Sequence, residues 1–278
     1  MRNGVFVVAE IGINHNGNIN VAKNLIDMAK KHGCDAVKFQ KRTTHKVYTE
    51  EFLESPRESP WGTTQRAQKE ALEFGEKEFD EIDRYCKKIG IPWFASAWDE
   101  DSVIFLRKYN CPYNKIASAM ITNKDVATEV AKEGKLTFIS TGLSTLDEID
   151  ECVNIFVSYG CPYVIMHCVG IYPCPSDKLN LSAIHTLENR YGCEIGYSGH
   201  SSSIMDAVLA VVYGAKYIEK HITLDRAMYG SDQAASLEET GLERLMDYIK
   251  FAEVSRGNGK KIIIPEEWKV RNKLVYWE

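Results

Sequence analysis

A single closed (β/α)8 barrel is the fold this sequence predicts, and three observations carry that expectation. Short apolar strands alternate with amphipathic helical segments from one end of the chain to the other. Eight such strands can be counted, and one barrel of about 250 residues uses nearly all of the 278 residues. Unbroken strand–helix alternation predicts a parallel sheet. Eight units favour closure over an open doubly wound sheet, and no Gly-x-Gly-x-x-Gly fingerprint follows the first strand to support dinucleotide binding.

Taken in order, the strand candidates are Gly4–Ala9, Ala36–Phe39, Pro92–Ala95, Asn114–Ile116, Thr137–Ile139, Val164–His167, Glu194–Tyr197 and Tyr217–His221. Between them the segments Val21–Lys31, Glu78–Lys88, Asp147–Tyr159 and Ile204–Tyr213 repeat apolar residues at spacings of three and four, as a helix covering a sheet does. Ser144-Thr145-Leu146-Asp147-Glu148 offers capping-box spacing. Gly33, Gly90, Gly160 and Gly214 stand where helices should stop. One connection is anomalous: Lys41 to about Gly75 is long, rich in Thr, Ser, Pro and Glu, and follows the second strand. A loop of that length in a compact domain is usually a lid or a binding element. The tail from Arg256 onward is read as a final helix or packing arm, so residues 1–278 form one TIM-barrel domain with a short extension over about 256–278.

Composition excludes several classes of function. Thirty-nine acidic against 34 basic residues leave a formal charge of -5, which offers no footprint for nucleic acid or a membrane surface. No apolar run approaches the roughly 20 residues of a membrane helix. Met1 to Ala9 reads as a strand opening into the fold, without the length or cleavage site of a signal peptide. The eight cysteines are scattered without a Cys-x-x-Cys pair, which suits reduced thiols and a cytoplasmic location.

The chemistry is expected at the carboxyl ends of the strands. Nearly every strand ends in a polar residue that a core would not choose: Glu10, Lys38 and Gln40, Ser96 and Asp99, Lys115 and Ser118, Ser140 and Thr141, His167 and Tyr172, Ser198 and His200, Glu219 and His221. Period two puts Lys38 with Gln40, Ser198 with His200, and Glu219 with His221 on shared faces. A buried lysine costs several kcal/mol unless it is paired. Lys38 and Lys115 therefore either pair with Glu10 and Glu219 or build an anion site with the serines, and the convergence of hydroxyls favours the anion site. His200 and His221, on adjacent strands beside carboxylates, are the metal candidates, with ligation that suits manganese, iron or zinc. His15 is either a third ligand, a substrate contact or part of a turn, and His32, His45 and His185 are surface or helix histidines.

These residues resemble a known pattern. Ala9-Glu10-Ile11-Gly12-Ile13-Asn14-His15-Asn16-Gly17 and Val37-Lys38-Phe39-Gln40 are similar to the opening of the sialic acid synthase family. Lys115-Ile116-Ala117-Ser118, Ser140-Thr141-Gly142, His167-Cys168 with Tyr172-Pro173, Gly196-Tyr197-Ser198-Gly199-His200, Glu219-Lys220-His221 and Gly230-Ser231-Asp232 continue the likeness in order, over about residues 5 to 255. The resemblance implies condensation of phosphoenolpyruvate with an N-acetylmannosamine-like aldehyde to a sialic-acid-like nonulosonate. It also implies a divalent metal, expected to be manganese (Mn2+) with Mg2+ or Co2+ as alternatives. Lys38, Ser96, Lys115, Ser118, Ser140 and Ser198 would hold phosphoenolpyruvate, His200 and His221 the metal, and Glu10, Gln40, Tyr172 and Asp232 would face the amino sugar.

Three departures accompany the likeness. The family's Gly-Glu pair is Ala119-Met120 here, and a polar residue after the His-Cys pair is Gly170. The antifreeze-like C-terminal domain that many members carry is expected to be missing, with the loop residues Trp61 and Arg66 capping the acceptor instead. One rival keeps the donor but takes another aldehyde such as a sugar phosphate, and a basic cluster drawn from Lys41, Arg42, Lys46, Arg57 and Arg66 would favour it. The other rival is a catalytically silent sugar-binding barrel. A homodimer is the base-rate expectation for assembly.

Overall fold

A computed structural model describes residues 4–277; the readings on residues 1–3 and 278 lie outside them. Ten strands run in chain order: β1 (Phe6–Gly12), β2 (Ala36–Lys41), β3 (Pro56–Ser59), β4 (Gly62–Thr64), β5 (Trp93–Ala97), β6 (Asn114–Ile116), β7 (Thr137–Ser140), β8 (Tyr163–Cys168), β9 (Ile195–Gly199) and β10 (Tyr217–His221). Eight of them close into a parallel barrel in the order β1-β10-β9-β8-β7-β6-β5-β2, while β3 and β4 form a separate antiparallel hairpin. All eight sequence-predicted strands are barrel strands, so the (β/α)8 expectation holds.

The main difference lies at the strand ends. β1 runs on through Glu10 to Gly12 and β2 through Gln40 to Lys41, beyond the last apolar residue at which the sequence reading stopped. Polar residues continue the ladder because a closed barrel buries them: Glu10 pairs in register with Lys38 on one side and His221 on the other. Helices Ile19–Lys31, Glu76–Ile89, Leu146–Ser158 and Met205–Val212 cover the outside as expected. Thr145 caps Leu146–Ser158, its backbone N–H donating to Glu148 Oε2 at 2.7 Å. Gly90 ends Glu76–Ile89 in the left-handed region, at φ 72°, which a glycine adopts without Cβ strain.

The connection after β2 is not a structureless loop. It holds the short helices Thr44–Val47 and Glu50–Glu54, the β3–β4 hairpin and the helix Gln65–Leu72. The hairpin docks on the segment after β10: Trp61 meets Tyr229 edge-on at 5.6 Å, and the Tyr229 hydroxyl donates to Glu58 O at 3.1 Å. At the other end of the chain, Glu239–Arg256 buries Leu242, Leu245, Met246 and Ile249 against the barrel. The tail does form a final helix, Pro265–Leu274, but none of its residues is buried, so the packing-arm reading fails. Its apolar side chains are too few and too interspersed with charge to displace water from the barrel surface.

The barrel interior is layered. Phe6, Phe94, Tyr113, Phe138 and Tyr217 fill the end where the strands begin, with ring centroids 5.3–5.6 Å apart for Phe6–Tyr113, Phe94–Phe138 and Phe138–Tyr217. Two residues further along β1 and β10, the same inward faces carry Val8 and Glu219, and then Glu10 and His221. The aromatic floor thus supports a polar layer at the carboxyl end.

Candidate active site

That polar layer opens into a cavity of about 150 Å³. Glu10, Lys38, Gln40, Ser96, Lys115, Ser118, Ser140, Tyr172, Ser198, His200 and His221 line it, eleven of the twelve site residues singled out from sequence. Asp232 is the twelfth and is not among the lining residues; its Oδ2 lies 3.7 Å from His221 Nδ1.

At the centre lies a network of two lysines and two carboxylates. Lys38 Nζ sits 2.9 Å from Glu10 Oε2 and 3.5 Å from Glu219 Oε1, while Lys115 Nζ donates to Glu219 Oε2 at 3.0 Å and to Ser140 Oγ at 2.6 Å. Ser198 Oγ donates to Glu219 Oε1 at 3.1 Å, and Gln40 Nε2 to Glu10 Oε1 at 3.0 Å. Carboxylate pairing, one of the two sequence alternatives for the lysines, is therefore present, and both ammonium groups also face the cavity. The two carboxylates differ in charge state. Burial would raise Glu219, but Lys115 and Lys38 outweigh it and hold the carboxyl at about 2. Burial dominates at Glu10 and pushes it up to about 7 against the pull of Lys38. Lys38 itself is held charged, because Glu10 and Glu219 outweigh its burial. For Lys115 burial prevails and lowers the ammonium.

Three polar atoms of the lining find no partner: Ser96 Oγ, Trp98 Nε1 and His221 Nδ1. A buried polar atom left unpaired costs on the order of 1–3 kcal/mol, so three in one lining mark a surface built to meet a polar ligand. Ser118 is engaged otherwise, accepting from Gly142 N–H at 3.1 Å and donating to Cys168 Sγ at 3.4 Å.

The two histidines test whether a metal fits. His200 Nδ1 lies 2.8 Å from the Val169 carbonyl, which can only accept, so Nδ1 carries the proton and Nε2 accepts from the Tyr172 hydroxyl at 2.6 Å. Tyr172 also stacks on His200 at 3.9 Å. The His200 and His221 ring centroids are 5.4 Å apart. Burial, reinforced by His221 on one ring and by Lys38 on the other, holds both at about 3, so both are neutral imidazoles at pH 7. Neutral imidazole nitrogens suit a divalent transition metal. Among the described residues, no three His, Cys, Asp or Glu side chains gather closely enough to hold an ion. Only two imidazoles would come from the protein, and an ion at His200 Nε2 would have to displace the Tyr172 hydroxyl that bonds there.

Other sequence candidates take structural roles. His15 is part of a turn, its Nδ1 accepting from Gly17 N–H at 3.1 Å and its ring stacked on Phe74 at 3.8 Å, away from the cavity. Asp99 caps the helix Glu100–Arg107 and binds Thr43, and His167 Nε2 bonds to Leu179 O at 2.8 Å. Ala119 faces the cavity while Met120 packs on the core. A Cβ at Gly170 would stand 2.6 Å from Leu143 Cδ2, so a polar residue there would need Leu143 to move.

Sequence reasoning missed Trp98 and Leu143 in the lining, since apolar lining residues carry no chemical signal. It also missed Lys220, whose Nζ donates to Ser201 O at 2.8 Å and Ser203 O at 3.0 Å and pairs with Asp206 Oδ2 at 3.1 Å. That clamp fixes the turn following His200. A lysine between Glu219 and His221, facing the opposite side of a buried strand, was the available signal.

Comparison with known proteins gives the family. The NeuB family model matches residues 25–261. The chain is 36% identical to the human N-acetylneuraminate-9-phosphate synthase, covering 97% of this chain and 76% of that protein. It is 34% identical to the N,N'-diacetyllegionaminic acid synthase of Campylobacter jejuni, covering 97% and 84% of the two chains. The crystal structure of the N-acetylneuraminic acid (sialic acid) synthetase of Leptospira borgpetersenii superposes with a TM-score of 0.87 at 33% identity, over 99% of this chain and 93% of that one. No helix among the described residues is long and apolar enough to cross a membrane. With a family model spanning most of its length and relatives that match 97% of it, the chain belongs to the NeuB family.

Proposed function

We propose that this protein is a phosphoenolpyruvate-dependent nonulosonate synthase, a transferase that joins phosphoenolpyruvate, an N-acylated amino-sugar aldehyde and water into a nine-carbon keto-sugar acid and phosphate. The observation that carries this reading is the barrel mouth: two buried lysines, four serine hydroxyls and two neutral imidazoles line a single cavity, with Ser96 Oγ and His221 Nδ1 unpartnered. The synthase names of the family relatives supply the reaction class.

In this reading Lys38 and Lys115 hold the donor's phosphate and carboxylate, and Ser96, Ser118, Ser140 and Ser198 donate hydrogen bonds to their oxygens. His200 and His221 would hold a divalent metal, Mn2+ ahead of Mg2+ or Co2+. When bound, that ion supplies Lewis-acid polarisation of the acceptor aldehyde. Gln40, Tyr172 and Asp232 orient the sugar. The methylene carbon of the donor forms a bond to the aldehyde carbon as the carbonyl π pair moves to the aldehyde oxygen, which takes up a proton, and positive charge develops at the enol carbon, where the Glu10 carboxylate stabilises it. Glu10 then takes a proton from the water that adds there. Phosphate leaves by carbon–oxygen cleavage, and the ammonium groups of Lys38 and Lys115 stabilise the departing anion.

The test is phosphate release from phosphoenolpyruvate with Mn2+ or Mg2+, against N-acetylmannosamine, its 6-phosphate and diacetamido-trideoxy hexoses. Release that needs one of these acceptors and stops on adding EDTA is the expected result. Binding of the donor without release for any acceptor would contradict the reading.

A further inference from the structure

The segment between β2 and the helix Gln65–Leu72 carries more positive charge than its neighbours neutralise. Of the basic residues picked out there by sequence, two are spent on the outer surface. Lys46 pairs with Asp101 at 2.6 Å, and Arg66 is bound by Glu50, Glu54 and Glu70. Of the others, Arg42 reaches the cavity lining. Arg42 is buried at the end of β2, its guanidinium stacked 4.4 Å over the cavity residue Trp98, and it donates to Gln40, which in turn holds Glu10. Its carboxylate partner, Glu73 at 3.1 Å, is shared with Lys41 at 3.7 Å.

Lys69 and Arg57 complete the group. Lys69 Nζ lies 5.4 Å from the ring of Tyr48, whose hydroxyl is 3.4 Å from Arg42 Nη1. Arg57 Nε donates to the Tyr229 hydroxyl at 3.3 Å. Both are half-buried, and among the described residues neither has a carboxylate within ion-pair distance. Burial first, then the like charges of Arg42 and Arg57, lower the Lys69 ammonium, with Asp232 opposing. Four cations, Lys41, Arg42, Arg57 and Lys69, thus have Glu73 and Asp232 as their nearby carboxylates, a surplus of two positive charges next to the lining residues Trp98 and Gln40, which Arg42 touches. Grouping like charges costs stability, and folding alone gives no return for it. A doubly charged phosphate monoester would neutralise the surplus.

We infer that Arg57 and Lys69, backed by Arg42, form a subsite for a phosphate group on the acceptor, so that this chain takes a phosphorylated amino-sugar aldehyde in preference to the free sugar. The inference rests on the proposed synthase reaction and specifies its acceptor. Arg57 and Lys69 are the specificity-determining pair, because they lie on the added segment and take no part in holding the donor.

The experiment compares kcat/KM for N-acetylmannosamine and N-acetylmannosamine 6-phosphate in the wild type, in Arg57→Met/Lys69→Met and in Lys69→Arg. The wild type should prefer the phosphate by at least about tenfold, roughly 1.4 kcal/mol. That ratio should collapse toward one in the double variant and persist in Lys69→Arg, with the KM for phosphoenolpyruvate unmoved in both. Equal use of the two acceptors, or a preference that survives in the double variant, overturns the subsite and leaves the synthase reaction standing. Failure of either acceptor to consume phosphoenolpyruvate overturns both.

Discussion

The two ends of this barrel are built from the same strands and do opposite things. At the amino end Phe6, Phe94, Tyr113, Phe138 and Tyr217 close the floor with ring on ring, while the Tyr217 hydroxyl donates to Glu194 Oε2 at 2.8 Å. Two to four residues further along, Glu10, Lys38, Lys115, Glu219 and His221 occupy equivalent inward positions, each dependent on an opposite charge or a hydrogen bond. The floor supplies apolar burial, and the charged layer draws on that stability to keep ions out of water. The contrast teaches that the site is affordable only because the aromatic plug lies beneath it.

Breaking the polar layer should have the largest effect on chemistry. Lys115→Met removes a donor to Ser140 and half of the positive charge on Glu219. Turnover in the phosphate-release assay should fall by at least about a thousandfold. Stability should fall by about 3–5 kcal/mol, because Glu219 loses a buried partner. Breaking the floor should separate the two properties. Phe138→Ala should cost about 3–5 kcal/mol in urea denaturation while the surviving folded protein keeps its KM for phosphoenolpyruvate.

The charged layer should also answer to pH where the floor does not. Glu10 is pushed up to about 7 by burial, so its base form is lost as pH falls through that value. kcat/KM should rise between about pH 6 and 8 and level off above, and Glu10→Gln should lose both the rate and that limb of the profile. A rate independent of pH across this range would remove Glu10 as the base. The smallest effect belongs to the hairpin over the mouth. Trp61→Ala loses one edge-on contact with Tyr229, worth about 0.5–1.5 kcal/mol, and should raise the acceptor KM up to about tenfold with donor KM unchanged.

The contrast between the ends also explains what could be read from sequence. Strands were legible by their apolar residues, and the polar layer by charges that continue a buried strand at period two, as in Tyr217, Glu219 and His221. The region from 41 to 75 was not. Its strands span three or four residues and its first two helices four or five, too short for either period to repeat. Lys69 escaped notice because an exposed-looking lysine on an amphipathic helix has the same pattern as one turned toward a cavity. Trp98 and Leu143 needed the closed barrel before they faced anything.

The central claim is that the upper layer is an anion site and not only a self-paired core. Calorimetric titration of phosphoenolpyruvate into the protein, with Mn2+ and without acceptor, tests it directly. The account predicts one-to-one binding that weakens as salt rises and disappears in Lys38→Met/Lys115→Met, with circular dichroism confirming that the variant is folded. No binding by the wild-type protein would mean that the lysines serve Glu10 and Glu219 alone, and the proposed reaction would fall with the anion site.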